Sequence, residues 1–180
     1  NREKVGRLTA AEYRPRSSEK ETESDLRRMK ESGTSMVWVP YHPQPDWFYS
    51  LCDRIGIYVC NSADINTRNG GAARTKGGNP SNDPKWADAY VDRALTMYHT
   101  SKNHPSVLMF SLAGAGSSNG YNLYESYLAL KRVDSRPVVY LDAGGEWNTD
   151  VLTPQAAASG NFPYPRIVVD LRNMLDGTIY

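Results

Sequence analysis

The chain has 180 residues, with 21 Lys and Arg residues against 20 Asp and Glu residues, so its formal net charge is +1. This length predicts one domain over 1–180, with a charged, irregular lead-in over 1–24. The balanced charge argues against a nucleic-acid partner, and apolar runs such as Val107–Phe110 are far shorter than the roughly 20 residues that cross a bilayer.

Helical and strand-like patterns alternate after the lead-in, which is typical of β/α units. The first helix is predicted to begin at Ser18, with Glu21 completing a capping box, and to end near Gly33. The later segments are, in order, strand Met36–Pro40, a helix capped by Asp46 and stopped by Gly56, strand Ile57–Cys60, a helix from Asp83 to Ser101, strand Val107–Leu112, a helix from Asn122 to Val133, strand Pro137–Leu141 and strand Ile167–Val169.

Parallel strands joined by helices build either a doubly wound sheet or a (β/α)8 barrel. In both, functional residues gather in the loops after the carboxyl ends of the strands. About five strands are visible, whereas a complete barrel needs about 250 residues. The long loop over 61–82, which is rich in Gly and Asn, is predicted to form a wall of the functional site.

Several segments carry a joint pattern in order and spacing. They are Leu51–Val59, Lys102–Val107, Ser111–Leu112, Arg136–Tyr140 and Trp147–Asp150. This pattern resembles the barrel domain of family-two glycoside hydrolases, the β-galactosidase type. The resemblance implies an α/β fold of the (β/α)8 TIM-barrel type, incomplete here, with about five to seven β/α units. It also implies that the first strand, which has the family pattern N-R-H-E, lies at or before Asn1-Arg2-Glu3.

The resemblance implies a retaining mechanism with a Glu acid/base and a Glu nucleophile, whose carboxyl groups lie about 5 to 5.5 Å apart. In this sequence Ala115 matches the acid/base position and cannot donate a proton, and no Asp or Glu occurs over 113–122. Asp170 matches the nucleophile but is one methylene shorter, and a misplacement of about 1 Å can cost about 100-fold in rate. We therefore expect a domain that has lost hydrolysis and binds carbohydrate or only scaffolds neighbouring domains.

Positions that contact sugar in the family have also changed. The family pattern R-x-S-H-Y-P is replaced by Trp38–Pro43, and D-E-A-N-I-E is replaced by Asn61–Asn66. Aromatic rings near strand ends can still stack on a pyranose, although packing in the core or wall is an equal alternative for them. The candidate sugar-binding residues are Trp38, Tyr41, His42, Asp64, Asn122 and Trp147.

Neither a cofactor nor a metal is expected. The three histidines are scattered without ligand spacing, and His104 is predicted to make a structural hydrogen bond in a helix-to-strand turn. The two cysteines, Cys52 and Cys60, are read as small buried thiols. The segment from Gly114 to Gly120 approaches the dinucleotide pattern G-x-G-x-x-G but has Asn119 at the sixth position.

Two other functions stay open at this point. In one, hydrolysis persists with Asp170 as nucleophile and a displaced acid, which would be Asp64, Asp142 or Glu146. In the other, the chain is an interaction module whose top face is covered by a partner chain or a further domain. The missing strands would come from another part of the polypeptide or from a second copy, since an open barrel edge exposes unpaired backbone and invites association. The expected partner is a galactoside-like, plant or host glycan. The resemblance suggests a bacterial periplasmic or secreted setting.

Overall fold

The computed structural model describes residues 8–71, 75–114, 117–140, 143, 147–152 and 167–168. Strands and helices alternate over most of this length. They are β1 (Ala10–Glu12), α1 (Glu19–Glu31), β2 (Met36–Val39), α2 (Asp46–Ile55), β3 (Tyr58–Ser62), two 3-10 turns (Pro80–Asn82 and Pro84–Trp86), α3 (Ala87–Ser101), β4 (Val107–Ser111), α4 (Tyr121–Val133), β5 (Val138–Val139), β6 (Val151–Leu152) and β7 (Ile167–Val168).

Strands β1 to β5 form one parallel sheet in which their spatial order follows the chain. Each strand lies beside the one before it, so the described sheet is wound in a single direction. This order is that of a β/α barrel and not of a doubly wound sheet, in which the strand order reverses. Strands β6 and β7 form a separate parallel pair.

Both faces of the sheet are buried. Between the sheet and the helices lies the larger core, whose fully buried side chains include Leu26, Phe48, Leu51, Phe110 and Leu123. The opposite face carries a smaller cluster, which comprises Ala10, Met36, Trp38, Cys60, Met109, Val139 and Val151. Because successive side chains of a strand point to opposite faces, a strand buried on both sides is a continuous apolar run.

The start of α1 and the ends of α1 and α2 agree with the predicted helix signals. The Ser18 side chain accepts a hydrogen bond from the Glu21 backbone N–H at the start of α1. Just past the end of that helix, Gly33 has a φ of +94°. The helix α2 ends at Gly56, whose φ of +72° lies in the left-handed region that favours glycine.

Two local expectations need correction. The segment expected to be an irregular lead-in contains β1, which pairs with β2 from Ala10 to Glu12. The strand expected at or before Asn1-Arg2-Glu3 lies outside the described residues. Asp46 is not the cap of α2 but its first residue, and the cap position is held by Pro45 without a side-chain bond. The Asp46 carboxylate instead lies 3.1 Å from His104 Nε2.

His104 joins α2 to the turn before β4. Its Nδ1 lies 2.8 Å from Asp53 Oδ2, which confirms the predicted structural hydrogen bond. The other oxygen of Asp53 accepts a hydrogen bond of 2.8 Å from the Ser106 backbone N–H. Partial burial lowers the pKa of His104, but the bonds and charges of Asp53 and Asp46 outweigh that effect and raise the pKa above 6.5.

The stability of the domain is expected to depend on pH through His104. A group whose folded pKa is raised contributes its full stabilisation below its unfolded pKa and loses it as the pH rises through the folded pKa. The free energy of unfolding should therefore fall from about pH 6.5 upwards. Urea unfolding at a series of pH values measures this free energy. Its decrease with rising pH should be smaller in His104→Gln than in the wild-type chain, and unchanged in His99→Gln. Equal slopes in the two variants would contradict the prediction.

Candidate carbohydrate site

The loops after β3, β4 and β5 meet at the carboxyl ends of the strands and form a cleft of about 700 Å³. This is the end of a β/α barrel at which functional residues gather. We call it the amide cleft. Its described lining residues are Asn82, Asn119, Gly120, Tyr121, Tyr124, Trp147 and Asn148.

Three exposed aromatic side chains lie together in the amide cleft. Tyr121 and Trp147 are each 62% exposed, and Tyr124 is 36% exposed. The two tyrosines are three residues apart in the first turn of α4, so they share one helix face. Trp147 comes from the loop after β5. Exposed rings gathered in a concave site mark a binding surface, and each offers a flat apolar face to a ligand.

Two buried asparagines connect the loops that carry these rings. The Asn148 Nδ2 donates to Asn119 Oδ1 at 2.7 Å, and the Asn119 Nδ2 donates to Asn148 Oδ1 at 3.3 Å. The Asn119 Oδ1 also accepts a hydrogen bond of 2.9 Å from the Gly120 backbone N–H. This reciprocal pair joins the loop before α4 to the loop before β6 and fixes their separation.

The 3-10 turn Pro80–Asn82 closes the third side of the cleft and is bonded to the start of α4. Asn82 Oδ1 accepts from the Tyr121 backbone N–H at 3.2 Å, and its Nδ2 donates to the Asn119 carbonyl at 3.3 Å. Asn122, predicted to contact sugar, is fully buried, and its amide nitrogen donates to the carbonyls of Pro80 and Asp83, both at 2.8 Å. In this structure Asn122 holds the turn and does not line the cleft.

The other sugar-binding candidates are spread over the described fold. Trp38 is buried in the smaller cluster, on the face of the sheet away from the helices, and His42 is exposed with its Nδ1 2.9 Å from Gln44 Nε2. Tyr41 has a φ of +75° and lies 5.1 Å below the Arg14 guanidinium. Of the six candidates, Trp147 alone lines the amide cleft, and Asp64 lines a different groove.

The predicted catalytic positions, Ala115 and Asp170, lie outside the described residues, as do Asp142 and Glu146. The other cleft residues are not among the candidates predicted from the sequence; they include Asn82, Asn119, Tyr121, Tyr124 and Asn148. Two signals pointed towards them. The loop over 61–82 was predicted to form a wall, and its last residue does line the cleft. The sixth position of the near-dinucleotide pattern, Asn119, proves to belong to the amide pair.

The chemistry of the described lining is neutral. It contains no Asp, Glu, Lys, Arg or His. The Glu125 carboxylate, one helical turn after Tyr121, raises the pKa of Tyr121 through its hydrogen bond with the phenol and through its charge. The phenol therefore stays protonated at neutral pH. This arrangement can stack on a ligand and exchange hydrogen bonds with it.

Over the described residues, no three His, Cys, Asp or Glu side chains are grouped so that they could hold a metal ion. No described helix has both the length and the apolar character needed to cross a membrane.

Comparisons with known proteins agree on one family. The family described as "Glycosyl hydrolases family 2, TIM barrel domain" matches residues 5–166. The β-galactosidases of Vibrio vulnificus strains YJ016 and CMCP6 are each 36% identical to the chain over 156 residues. That alignment covers 81% of this chain and 14% of either relative, so the chain spans a small part of their length.

Solved structures show the same fold at low sequence identity. A β-glucuronidase from an uncultured Clostridium sp. has a TM-score of 0.62 at 16% identity, covering 81% of this chain and 28% of that one. The apo structure of β-glucuronidase 3 from Bacteroides uniformis has a TM-score of 0.62 at 17% identity, covering 82% and 20%. For a β-glycosidase from Bacteroides vulgatus the TM-score is 0.60 at 18% identity, with 82% and 19% covered.

Proposed function

Because the chain belongs to glycoside hydrolase family 2 and comprises part of that family's TIM barrel, we propose that it binds a neutral, galactoside-like carbohydrate in the amide cleft without hydrolysing it. The observation that carries this proposal is the composition of the cleft. Three exposed aromatic rings and three asparagine side chains line it, and no charged side chain does so among the described residues.

The lining suits an uncharged pyranose. One face of the sugar ring carries C–H groups that pack on an aromatic ring, while its hydroxyls need hydrogen-bond partners to leave water without penalty. Asn82 and the tyrosine hydroxyls supply donors and acceptors at the edges of the cleft, while Asn119 and Asn148 are buried and bonded to each other. A sugar carboxylate would lose its hydration without meeting a cation, because the described lining contains neither Lys nor Arg. This favours a galactoside over a glucuronide.

The proposed loss of hydrolysis rests on residue types. A general acid contributes about 10²- to 10⁴-fold to the rate, and Ala115 at the matching position has no proton to give. No Asp or Glu occurs from Ala113 to Asn122, so the loop after β4 supplies no substitute. Among the acids that could replace it, Asp64 lines the other groove. No described contact favours the hydrolytic alternative.

Binding is tested by titrating the 15N-tryptophan-labelled chain with methyl β-galactoside and following the Trp147 indole N–H resonance. We expect a saturable shift. Removal of one stacking ring in Tyr124→Ala should weaken the affinity about tenfold. Tyr58→Ala removes an exposed aromatic ring outside the cleft and should leave the affinity unchanged. A larger effect of methyl β-glucuronide, or no shift of Trp147 with either sugar, would contradict the proposal.

Hydrolysis is tested with an aryl β-galactoside. We expect no release of the aryl group above the rate in buffer, and no difference between the wild-type chain and Asp170→Ala. Turnover that disappears in Asp170→Ala would show that the nucleophile still acts, and the proposed loss of the reaction would then be wrong.

A further inference from the structure

A second groove, of about 520 Å³, lies between the loop after β3 and the start of α3. The side chains that matter for its chemistry are Asp64, Asn66, Asn69, Trp86 and Arg93, and we call it the Trp86 groove. Its volume falls within the range of about 300 to 1,000 Å³ that is usual for small-molecule sites. We propose that the Trp86 groove is a second carbohydrate site, which binds a neutral oligosaccharide independently of the amide cleft.

The position of Trp86 gives the groove an aromatic platform. The Trp86 side chain is 49% exposed and precedes α3 in a 3-10 turn. Residues three, four and seven positions apart lie on one helical face, so Ala89, Tyr90 and Arg93 continue the surface that begins at Trp86. The small side chain of Ala89 leaves room beside the indole, where a pyranose can stack.

Two opposite charges in the groove make no ion pair within the described residues. These are the Asp64 carboxylate and the Arg93 guanidinium, and neither makes a hydrogen bond to a described group. Surface charges of this kind are normally solvated, but here they lie beside an exposed indole and two asparagine side chains. A carboxylate accepts bonds from two sugar hydroxyls, and a guanidinium donates to ring and hydroxyl oxygens.

The charge balance selects the class of ligand. Asp64 and Arg93 give the described lining no net charge. An anionic sugar would be attracted by the Arg93 guanidinium and repelled by the Asp64 carboxylate. An uncharged sugar satisfies both groups. The groove is also adjacent to the amide cleft, since Pro80 lines the groove and Asn82, two residues on, lines the cleft. Both sites therefore lie beside the turn Pro80–Asn82.

The test uses the 180-residue chain with 15N-labelled tryptophan, whose indole signals report Trp86 and Trp147 separately, with Trp86→Phe to assign its signal. The probes are the neutral tetraoses of β-1,4-linked galactose, mannose and glucose, and tetragalacturonate as the acidic counterpart. In a Trp147→Ala background we expect at least one neutral tetraose to shift the Trp86 signal saturably. Asp64→Ala should weaken that binding about tenfold, while Asp88→Ala, an acid of α3 outside the lining, should not.

The proposal is overturned if no neutral tetraose shifts Trp86 at concentrations up to about 10 mM, or if tetragalacturonate alone does so. It is also overturned if Asp64→Ala and Asp88→Ala bind alike, with far-UV circular dichroism showing that both are folded. The indole signal of Trp147 reports binding in the amide cleft, and that of Trp86 reports binding in the Trp86 groove. Absence of binding at Trp147 therefore contradicts the proposed function, and absence of binding at Trp86 contradicts this inference.

Discussion

Replacement of Gly120 by Ala is expected to lower the free energy of unfolding by about 2 kcal/mol and to abolish binding in the amide cleft. A Cβ at this position would lie 2.5 Å from the Ser81 carbonyl oxygen and 2.6 Å from Asn82 Nδ2. The Gly120 backbone is extended, with φ at −177°, so the clash with the turn is the whole effect and no dihedral strain adds to it.

The turn cannot move away without breaking other contacts. Asn122 bonds the carbonyls of both Pro80 and Asp83, and Asn82 bonds the first residue of α4. Insertion of one methyl group must therefore separate the turn from α4, and this separation opens the wall of the cleft. Insertion of extra atoms into a well-packed region usually costs about 1 to 3 kcal/mol.

Urea unfolding and the Trp147 indole shift with methyl β-galactoside measure the two consequences of Gly120→Ala. Ser118→Ala is the matched control, because it lies two residues earlier in the same loop and loses one partly exposed hydrogen bond, to the Gly71 carbonyl. That change should cost less than about 1 kcal/mol and leave binding intact. A Gly120→Ala chain that binds as tightly as wild type would show that the turn does not shape the cleft.

The elements that the sequence predicts well are those set by local chemistry. Ser18, Gly33 and Gly56 mark helix ends because a cap bond or a left-handed φ is a property of a few neighbouring residues. Strand β1 has no such signal. Its three residues, Ala10–Glu12, form a strand because β2 offers unpaired backbone groups beside them. Pairing of this kind is a tertiary effect that composition does not reveal.

The same distinction explains what could be predicted about the site. Trp147 was identifiable because it lies in a loop after a predicted strand, but Asn119 and Asn148 are 29 residues apart and become a pair only in the folded chain. For Trp38, the sequence suggested a place in the site, but the structure buries the side chain under the sheet. Both faces of β2 are buried, so the sequence Met36–Val39 does not show which side chains point to the smaller cluster and which to the larger core.

Replacement of Asp53 by Ala is expected to produce the largest loss of stability, about 3 kcal/mol. Its carboxylate accepts from the Ser106 N–H and pairs with His104 Nδ1, and both of these nitrogens would be left without an acceptor in a region where only 24% of the Asp53 side chain is exposed. The bonds to Ser106 and His104 lower the pKa of Asp53 despite its burial, so its contribution should persist at neutral pH and fade as the pH falls below 3.8.

Asp46→Ala is the matched control for Asp53→Ala, because the Asp46 side chain contacts the same histidine but is 85% exposed. Exposed ion pairs contribute about 0 to 1 kcal/mol, so urea unfolding should separate the two variants by about 2 kcal/mol or more. Equal losses would show that His104, and not the partly buried Asp53 carboxylate, determines the stability of this connection.

Asp53→Ala also tests whether the segments that resemble the family contribute to binding in the amide cleft. Asp53, His104 and Ser106 belong to the segments that resemble glycoside hydrolase family 2, yet they join α2 to β4 and do not line the amide cleft. The folded fraction of Asp53→Ala should therefore bind methyl β-galactoside with wild-type affinity, while Tyr124→Ala should lose affinity with little loss of stability. This reciprocal result is expected if the retained segments preserve the barrel and the cleft residues alone determine what the domain binds.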